Sequence, residues 1–544
     1  MSALTISNLR VDIRGKTVLH DIDMTLEPGK ILGVVGESGS GKSMTALSVM
    51  QLLPRGSRWS GEISVAGNDL ALMDEPALCQ MRGRDVGMIF QEPMTALNPV
   101  QNIGDQVAET VRVHNGASRR EAMTIAREML DRVGLPAENF PLDRFPHDLS
   151  GGQRQRVVIA QAIALRPKIL IADEPTTALD VTTQAQILDL LKQLVRDEDM
   201  GLMLITHDLA VVAGLADTIA ILKDGEVVEA GATHSVFRGM RHPYTRALFS
   251  ASAHVPARKR GPEPAKTPVL SVADVVRDYA QPRRNLFAKR PPFRAVDHVG
   301  FEIFHGENVG LVGESGCGKS TLARAVLALD PLQGGEIRLN GHVFSSAGDG
   351  PHPELRARMQ VVFQDPYGSF NPRHRVRRLV TEPFHLVKSS LRGADLERRI
   401  DRALTEVGLS SSDADKYIHE FSGGQRQRIA IARALIIEPA LIVLDEAVSA
   451  LDVSIRAQIL DLLAGLSDRL DLSYLFISHD LSVVRAITDR VLVMKAGQIV
   501  EQGATESIFE NPQHPYTRKL VAATPSLEAA LAGGRTGHEE RINP

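Results

Sequence analysis

Short apolar runs alternate with amphipathic segments along the chain, and the second half repeats the order of the first. Alternating positions predict strands over Leu4–Ile13 and Ile31–Val35 in the first half, and over 269–279 and Asn308–Val312 in the second. A Gly-rich loop follows each second strand, and apolar periodicity then predicts helices over 43–53 and 320–329.

The two Gly-rich loops read GESGSGKS at 36–43 and GESGCGKS at 313–320, and we call them the phosphate loops. Loop N–H groups and the positive end of the following helix both face an anion in this arrangement. Strand, Gly-rich loop and helix together therefore predict one phosphate site in each half.

Four more apolar runs end at residues that can carry chemistry. The runs 168–172 and 441–444 lead into acidic residues, whereas Gly201–Thr206 and 475–478 lead into a histidine. Short apolar runs that alternate with helices indicate a mainly parallel sheet covered by helices, which is an α/β fold. The more polar helical patterns, such as 119–133 and 396–407, predict a separate helical subdomain in each half.

The candidate residues recur at a nearly constant spacing. Ser150 and Ser422 are 272 residues apart, as are the acidic pairs and the histidines, while Lys42 and Lys319 are 277 residues apart. A repeat of this length is a duplicated domain. We predict a first domain at 1–252, a Pro-rich and basic linker at 253–268, a second domain at 269–526 and a disordered tail at 527–544. A basic insertion near 280–293 is interpreted as a solvated loop, with contact to lipid headgroups or a membrane partner as the alternative.

Composition limits the classes of function. The 62 basic and 66 acidic residues nearly balance, so no basic field predicts nucleic-acid binding. The two cysteines, Cys79 and Cys317, are too few for a disulfide framework, a zinc site or an iron–sulfur cluster, and they fit a reducing compartment. The sequence lacks a signal-peptide pattern and an apolar run of about 18–20 residues, so we expect a soluble chain that depends on a partner for any membrane role.

The phosphate loops supply groups for a nucleotide and a cation. Lys42 and Lys319 can reach the β- and γ-phosphates, and the hydroxyls of Ser43 and Ser320 can ligate Mg²⁺. The positions predicted to bind the nucleotide here are Gly36, Glu37, Ser38, Gly39, Ser40, Gly41, Lys42, Ser43, Met44, Gly313, Glu314, Ser315, Gly316, Cys317, Gly318, Lys319, Ser320 and Thr321.

An acidic pair closes an apolar strand in each half. Asp173 and Asp445 can organise Mg²⁺, and the following Glu174 and Glu446 are candidate general bases that polarise an attacking water. A single acidic pair is often a helix cap, but its recurrence at one distance from the serines Ser150 and Ser422 favours catalysis. His207 and His479 recur in the same way after buried strands, which favours a contact with the γ-phosphate.

A Ser-Gly-Gly-Gln segment begins a strongly helical stretch in each half, and we call these the signature segments. A serine at the helix start and exposed glycine N–H groups make a second anion-binding end. This end is far in sequence from the phosphate loop of its own half, which indicates sites shared between the two modules. The signature positions are Ser150, Gly151, Gly152, Gln153, Ser422, Gly423, Gly424 and Gln425.

These motifs together resemble the ATP-binding cassette (ABC) ATPases. Gln91 and Gln364 match the family's glutamine, and Asp180 and Asp452 end its Ala-Leu-Asp segment. The resemblance implies two tandem ABC-type P-loop NTPase domains, each with a RecA-like mixed or parallel sheet core, a helical subdomain and a small antiparallel β subdomain. It also implies ATP and Mg²⁺ as cofactors, with the glutamines as catalytic residues and Mg²⁺ ligands, and with the two aspartates at the nucleotide. ATP would bind between the phosphate loop of each half and the signature segment of the other.

Four further segments narrow the resemblance to the ATPases of dipeptide, oligopeptide, nickel and glutathione importers, here with two subunits fused. They read FQEPMTALNPV at 90–100, FQDPYGSFNPR at 363–373, and HPYTR at 242–246 and 514–518. The implied function is an ATP-hydrolysing motor for peptide uptake, with nickel or glutathione uptake as alternatives. The implied partners are two membrane-spanning permease subunits and, indirectly, an extracytoplasmic solute-binding protein, with the chain peripheral on the cytoplasmic face of the inner membrane. Nucleic acid and an iron–sulfur cluster are not expected.

Three other kinds of cassette protein fit less well. Soluble tandem-cassette translation factors, the distant alternative, usually carry a long charged helical linker, whereas this linker is short and Pro-rich. DNA-repair cassettes need cysteine-rich zinc insertions. Tandem sugar-importer ATPases typically have one degraded site and lack the HPYTR segments.

The two halves depart from the family in their aromatic residues. Tyr279 is the candidate adenine-stacking residue of the second half, but Ile13 occupies the equivalent place in the first, so we expect unequal adenine affinity. Phe421 replaces a leucine before the second signature segment, a change that we expect to be silent.

Each segment after a family glutamine is a candidate docking surface for a short helix of a membrane partner. Its apolar residues, such as Leu97 and Phe370, would then be exposed, and a charge at Leu97 would leave the chain folded. The alternative is that these residues pack in the core of their own domain. Met94 and Tyr367 belong to the same segments.

Overall fold

A computed structural model of the chain describes residues 2–91, 96–177, 179–258, 267–281, 291–347, 353–365, 368–387, 391–449, 451–527 and 530–531. Each half forms one α/β module with two sheets, which confirms the predicted fold class. Most of the basic insertion near 280–293 lies outside these residues. None of the helices described is both long enough and apolar enough to cross a membrane.

The first module contains ten strands and nine α-helices within its described residues. The strands are β1 Leu4–Ile13, β2 Lys16–Leu26, β3 Ile31–Val35, β4 Ser57–Val65, β5 Asn68–Asp69, β6 Val86–Ile89, β7 Ile169–Asp173, β8 Gly201–Thr206, β9 Thr218–Lys223 and β10 Glu226–Ala232. The helices are α1 Lys42–Val49, α2 Glu75–Arg84, α3 Ile103–Asn115, α4 Arg119–Arg132, α5 Gly151–Ala162, α6 Val181–Glu198, α7 Leu209–Leu215, α8 Thr233–Gly239 and α9 Pro243–Ser252. Short 3₁₀ turns cover Leu70–Leu72 and Pro146–Asp148.

The second module repeats this order in the part of it that the structure describes. Its strands are β11 Pro268–Tyr279, β12 Phe293–Phe304, β13 Asn308–Val312, β14 Gly334–Leu339, β15 His342–Ser346, β16 Met359–Val362, β17 Leu441–Asp445, β18 Ser473–Ile477, β19 Arg490–Lys495 and β20 Gln498–Ala504. Its helices are α10 Lys319–Val326, α11 Pro353–Arg356, α12 Val376–Val380, α13 Ala394–Glu406, α14 Gly423–Leu435, α15 Val453–Leu470, α16 Leu481–Ile487, α17 Thr505–Glu510 and α18 Pro515–Ala522. The 3₁₀ turns are Glu382–Leu386, Ser411–Asp415 and Ile418–Glu420.

Each module is built on a six-stranded sheet with an antiparallel edge. The strand order is β10-β9-β3-β8-β7-β6 in the first module and β20-β19-β13-β18-β17-β16 in the second, and all strands except β10 and β20 run parallel. Because β3, β8 and β7 are parallel neighbours, their carboxyl ends meet at one edge of the sheet. That edge carries the phosphate loop, His207 and the acidic pair. A four-stranded antiparallel sheet, β2-β1-β4-β5 or β12-β11-β14-β15, completes each module.

The apolar runs form the central strands because both faces of the large sheet are covered. All five residues of β3, β13 and β18 are buried. Their side chains pack on one face against helices such as α6 and α15, and on the other against the small antiparallel sheet and α1 or α10. A strand buried on both faces loses the alternation of apolar and polar residues, which is why these strands are nearly continuous apolar runs in the sequence.

The predicted helices after the phosphate loops are several residues too long. The predicted helix 43–53 ends at Val49, and the predicted helix 320–329 ends at Val326. Gln51 and Ala328 follow with φ of 51° and 49°, in the left-handed region, which no α-helix can continue through. Apolar residues continue past these positions whether or not they pack: Leu53 contacts the core, whereas Leu52 and Leu329 are exposed. Apolar periodicity therefore does not mark the helix ends.

The expectation of exposed apolar residues after the family glutamines is wrong for Leu97 and Phe370. Leu97 is 3% exposed and Phe370 is 5% exposed, and each packs in the core of its own module. The alternative reading, in which these residues belong to the core, is therefore the correct one. Met94 and Tyr367 lie outside the described residues.

We predict that Leu97→Asp unfolds the first module instead of leaving it intact. An unpaired carboxylate in this core costs about 3–5 kcal/mol, which is a large part of the stability of a domain. Thermal unfolding of the purified chain should show a lower melting temperature or loss of soluble protein. The matched control is Leu72→Asp, since Leu72 is 85% exposed. Equal melting temperatures for the two variants would contradict the assignment of Leu97 to the core.

Candidate nucleotide sites at the module interface

The phosphate loops curl around the ammonium groups of their own lysines. Lys42 Nζ donates to the carbonyl oxygens of Gly36 and Glu37, both at 2.8 Å. Lys319 Nζ donates to those of Gly313 and Glu314 at 2.7 and 2.9 Å. Burial lowers the pKa of Lys42, and the charges of Glu174 and Asp452 oppose that shift. Each lysine side chain is therefore buried and held inside its own loop.

The last glycine of each loop permits this curl. Gly41 has a φ of 104° and Gly318 a φ of 112°, which side chains rarely allow. A Cβ on Gly41 would lie 2.5 Å from Leu19 Cδ2, and one on Gly318 would lie 2.4 Å from the carbonyl oxygen of Ala295. The helices α1 and α10 begin directly after these glycines, so their first N–H groups point into the loops.

The acidic end of β7 forms a hydrogen-bonded cluster. Gln91 Nε2 and Thr177 Oγ1 donate to Glu174 Oε2 at 3.0 and 2.9 Å, and His207 Nδ1 lies 3.2 Å from Glu174 Oε1. Although burial opposes the shift, the hydrogen bond and charge of His207 lower the pKa of Glu174 to about 2. The carboxylate is therefore ionised and held in one orientation.

The second module repeats the glutamate–histidine pair. His479 Nδ1 lies 3.3 Å from Glu446 Oε1. Burial opposes the shift here as well, but the hydrogen bond and charge of His479 lower the pKa of Glu446. Gln364 is exposed near the carboxyl end of β16.

The first residue of each acidic pair is a candidate cation ligand. Burial raises the pKa of Asp173 and of Asp445, and a hydrogen bond from Ser43 opposes the shift at Asp173. Asp173 Oδ1 is buried without a hydrogen-bond partner. A buried carboxylate oxygen without a donor, next to a serine hydroxyl, fits a hard divalent cation such as Mg²⁺.

The signature segments begin helices α5 and α14, as predicted. Ser150 Oγ accepts from the Gln153 N–H at 3.3 Å, and the Gln153 side chain accepts from the Ser150 N–H at 2.9 Å. Ser422 and Gln425 form the same capping box at 3.4 and 3.0 Å. The signature serines are exposed at these helix starts. Phe421 is buried in the core, as is its counterpart Leu149.

Each phosphate loop is hydrogen-bonded by an aspartate of the other module. The Ser38 N–H donates to Asp452 Oδ1 at 2.6 Å, and the Ser315 N–H donates to Asp180 Oδ2 at 3.2 Å. Thr182 Oγ1 also donates to Glu314 Oε1 at 3.1 Å. We call Asp180 and Asp452 the interface aspartates. The two modules therefore meet with the phosphate loop of one against the interface aspartate of the other.

The candidate adenine contacts differ between the modules. Tyr279 ends β11, and its hydroxyl donates to Asp330 Oδ2 at 3.1 Å while the Arg277 guanidinium lies 4.6 Å from the ring centre. Ile13 ends β1 and is half-buried against the core of the first module. The stacking role of Tyr279 stays a prediction.

Sequence reasoning missed one pair of residues at the phosphate loops. The Glu37 N–H donates to the Tyr244 hydroxyl at 3.1 Å, and the Glu314 N–H donates to the Tyr516 hydroxyl at 2.9 Å. These are the tyrosines of the two HPYTR segments, whose sequence points to a family but not to a place at the phosphate loops. Their recurrence at the end of both modules is the signal that could have identified them.

Comparison with known proteins gives two family matches and several close relatives. The ABC transporter model matches 19–177 and 296–449, and the model of the oligopeptide/dipeptide transporter C-terminal region matches 228–276 and 500–543. The glutathione import ATP-binding protein GsiA of Shigella dysenteriae is 46% identical, over 97% of this chain and 90% of that protein. GsiA of Escherichia coli K12 is 45% identical over the same shares. A solved structure, cbiO1 of Clostridium perfringens, is 27% identical, covering 45% of this chain and 92% of that one with a TM-score of 0.39.

The family matches cover both modules, and the close relatives extend over nearly the whole chain. The matched ranges include both phosphate loops, which lie where the two modules meet. The chain is a member of the ABC transporter ATPase family, with two fused ATP-binding modules of the peptide-importer class.

Proposed function

We propose that the chain hydrolyses ATP at two composite sites, each made by the phosphate loop of one module and the signature segment of the other. The observation that carries this proposal is the pair of hydrogen bonds from Ser38 and Ser315 to the interface aspartates of the opposite module. Lys42 with Ser422 would form one site, and Lys319 with Ser150 the other. Both modules keep a glutamate, a histidine and a signature segment, which supports two competent sites.

Mg²⁺ would be held by the serine hydroxyl of each phosphate loop and the first residue of each acidic pair. The candidate ligands are Ser43, Asp173 and Gln91 in one module, and Ser320, Asp445 and Gln364 in the other. The unpartnered Asp173 Oδ1 supports this assignment. The bound cation would neutralise charge on the β- and γ-phosphates.

The glutamates would orient the attacking water. Their lowered pKa values keep both carboxylates ionised near neutral pH, so each can accept a hydrogen bond from water without first losing a proton. His207 and His479 hold the glutamates and would contact the γ-phosphate. Gln91 donates a hydrogen bond to Glu174 and lies where the sheet core joins the helical subdomain. A conformational change of a membrane partner would reach the water-binding carboxylate through Gln91.

We further propose that the imported solute is a short peptide, with glutathione favoured. The names of the GsiA relatives and the match to the oligopeptide/dipeptide C-terminal region support this choice over nickel. The chain would act on the cytoplasmic face of the membrane, bound to two membrane-spanning permease subunits that receive solute from an extracytoplasmic binding protein.

Deleting the chain should abolish uptake of labelled glutathione by cells and leave nickel uptake unchanged. The wild-type chain should restore glutathione uptake, but a chain carrying Glu174→Gln and Glu446→Gln should not, because import requires hydrolysis. An unrelated labelled tripeptide, measured in the same cells, would separate glutathione selectivity from general peptide uptake. Loss of nickel uptake with normal glutathione uptake would overturn the proposed solute class.

Glu174→Gln and Glu446→Gln should each leave ATP binding intact and reduce hydrolysis. Removal of a group that acts on the attacking water typically lowers the rate by about 10²–10⁴-fold, whereas the phosphate loop and Mg²⁺ still hold the nucleotide. The double variant should retain two ATP molecules in a closed form, measurable by filter binding. Glu75→Gln is a control, since Glu75 begins helix α2 away from both sites. Near-normal turnover in the double variant would remove these glutamates from the mechanism.

Tyr279→Ala should weaken one ATP site more than Ile13→Ala weakens the other. Loss of an aromatic contact costs about 1 kcal/mol beyond area burial, whereas an aliphatic side chain offers only dispersion. Titration with a fluorescent ATP analogue should resolve one weakened site in the tyrosine variant. Equal losses for the two variants would place the adenine contacts elsewhere.

A further inference from the structure

We propose that Tyr244 and Tyr516 are positioning residues of the two ATP sites, and that the C-terminal helix of each module links its own phosphate loop to the opposite interface aspartate. This inference rests on the proposed ATP sites and assigns a role to the HPYTR segments.

The start of each C-terminal helix is fixed by a glutamate of the preceding strand. In the first module, the Glu229 carboxylate accepts from the N–H groups of Arg241 and His242 at 2.9 and 3.1 Å, and His242 Nδ1 accepts from the Tyr244 N–H at 3.2 Å. Glu229 lies on β10, at the edge of the large sheet. The tyrosine backbone is therefore tied to the sheet that carries the phosphate loop.

The second module has the same arrangement, atom for atom. The Glu501 carboxylate accepts from the N–H groups of Gln513 and His514 at 2.7 and 3.0 Å, and His514 Nδ1 accepts from the Tyr516 N–H at 3.1 Å. Two separate halves of the chain thus build the same support for one tyrosine.

The tyrosine hydroxyls bind the first turn of the phosphate loops. The Glu37 N–H donates to Tyr244 and the Glu314 N–H donates to Tyr516. Burial raises the pKa of Tyr244 to about 12, and it also raises the pKa of Tyr516. Both hydroxyls are therefore neutral at physiological pH, and each can accept the loop N–H and donate its own proton. The Lys223 and Lys495 ammonium groups lie 5.3 and 5.0 Å from the ring centres and hold the rings in place.

The tyrosine of one module and the interface aspartate of the other module bind consecutive backbone N–H groups of the same phosphate loop. In the first module Tyr244 holds the Glu37 N–H and Asp452 holds the Ser38 N–H, while in the second Tyr516 and Asp180 hold those of Glu314 and Ser315. The same loop turn supplies the carbonyl oxygens that hold the phosphate-loop lysine. The two anchors thus set the shape of the loop before a phosphate binds, and a preorganised site binds more tightly.

The C-terminal helices also pack against the opposite module. Helix α9 packs against α15, which follows Asp452, and helix α18 packs against α6, which follows Asp180. Tyr244 and Val453 belong to one apolar cluster, and Tyr516 and Val181 to another. A movement of one module that displaces its interface aspartate therefore also displaces the C-terminal helix of the other module, which carries the tyrosine. Both anchors of a phosphate loop respond to the same motion.

The test uses the full chain with Tyr244→Phe, Tyr516→Phe and both changes together. Phenylalanine keeps the ring and removes only the hydroxyl, so we expect ATP to bind about 3–10-fold more weakly at each altered site, as the loss of one hydrogen bond predicts. The control is Tyr474→Phe, since the Tyr474 hydroxyl donates to the Leu463 carbonyl in the core at 3.1 Å. It should lower the melting temperature without changing ATP affinity.

Titration calorimetry with ATP gives the affinity, and thermal unfolding gives the stability. Wild-type affinity in the double Phe variant would overturn the inference, as would an equal loss of affinity in the Tyr474→Phe control. Failure of the wild-type chain to bind ATP would instead overturn the proposed function itself.

A double-mutant cycle separates positioning from a general structural role. Tyr244→Phe combined with Asp452→Asn alters two anchors of one phosphate loop, so the losses of ATP affinity should be non-additive. Tyr244→Phe combined with Asp180→Asn alters anchors of different loops, so the losses should add. Additive losses in both pairs would show that the tyrosine and the aspartate do not act on the same loop, and would overturn the inference.

Discussion

Backbone N–H groups at the start of each phosphate loop are hydrogen-bonded to a carboxylate that belongs to the other module. The bonds of Ser38 to Asp452 and of Ser315 to Asp180 mean that neither loop is complete within its own half of the chain. Fusion of the two modules keeps the partner carboxylate at a high effective concentration, so these bonds do not depend on the meeting of separate subunits. The arrangement of both candidate sites follows from this reciprocal contact.

The parallel sheet places the remaining groups around that contact. The carboxyl ends of three neighbouring strands bring together a buried lysine, an acidic pair and a histidine in each module. The charges of these groups then affect which of the carboxyl groups are ionised. The Glu174 carboxylate stays ionised because His207 lies 3.2 Å away, and Asp173 keeps one buried oxygen without a donor. A site of this kind holds the charges that a triphosphate and a divalent cation need.

Sequence patterns predict the parts of this structure that depend on local burial. Runs such as Ile31–Val35 and Asn308–Val312 form strands with the predicted bounds, because a strand buried on both faces is apolar along most of its length. The helices after the phosphate loops end earlier than predicted, before the left-handed residues Gln51 and Ala328. Apolar periodicity does not indicate which residues adopt a left-handed conformation.

Contacts between distant segments are harder to predict. Leu97 lies in a sequence rich in turn-forming residues, so the pattern alone does not distinguish an exposed apolar residue from one that packs in the core. Tyr244 contacts a backbone N–H of the phosphate loop more than 200 residues away. Because every residue type except proline has such an N–H group, the loop sequence gives no sign of this contact. The recurrence of HPYTR in both halves marks the segment as important, but only the fold shows what the tyrosine touches.

The most direct test of the reciprocal arrangement counts the ATP molecules retained by a chain carrying Glu174→Gln and Glu446→Gln. Adding Lys42→Ala and Ser422→Glu damages both faces of one composite site, so one ATP should be retained. Adding Lys42→Ala and Ser150→Glu damages one face of each site, so none should be retained. The opposite result, with one ATP retained in the second chain and none in the first, would mean that each module forms its site alone and would contradict this account.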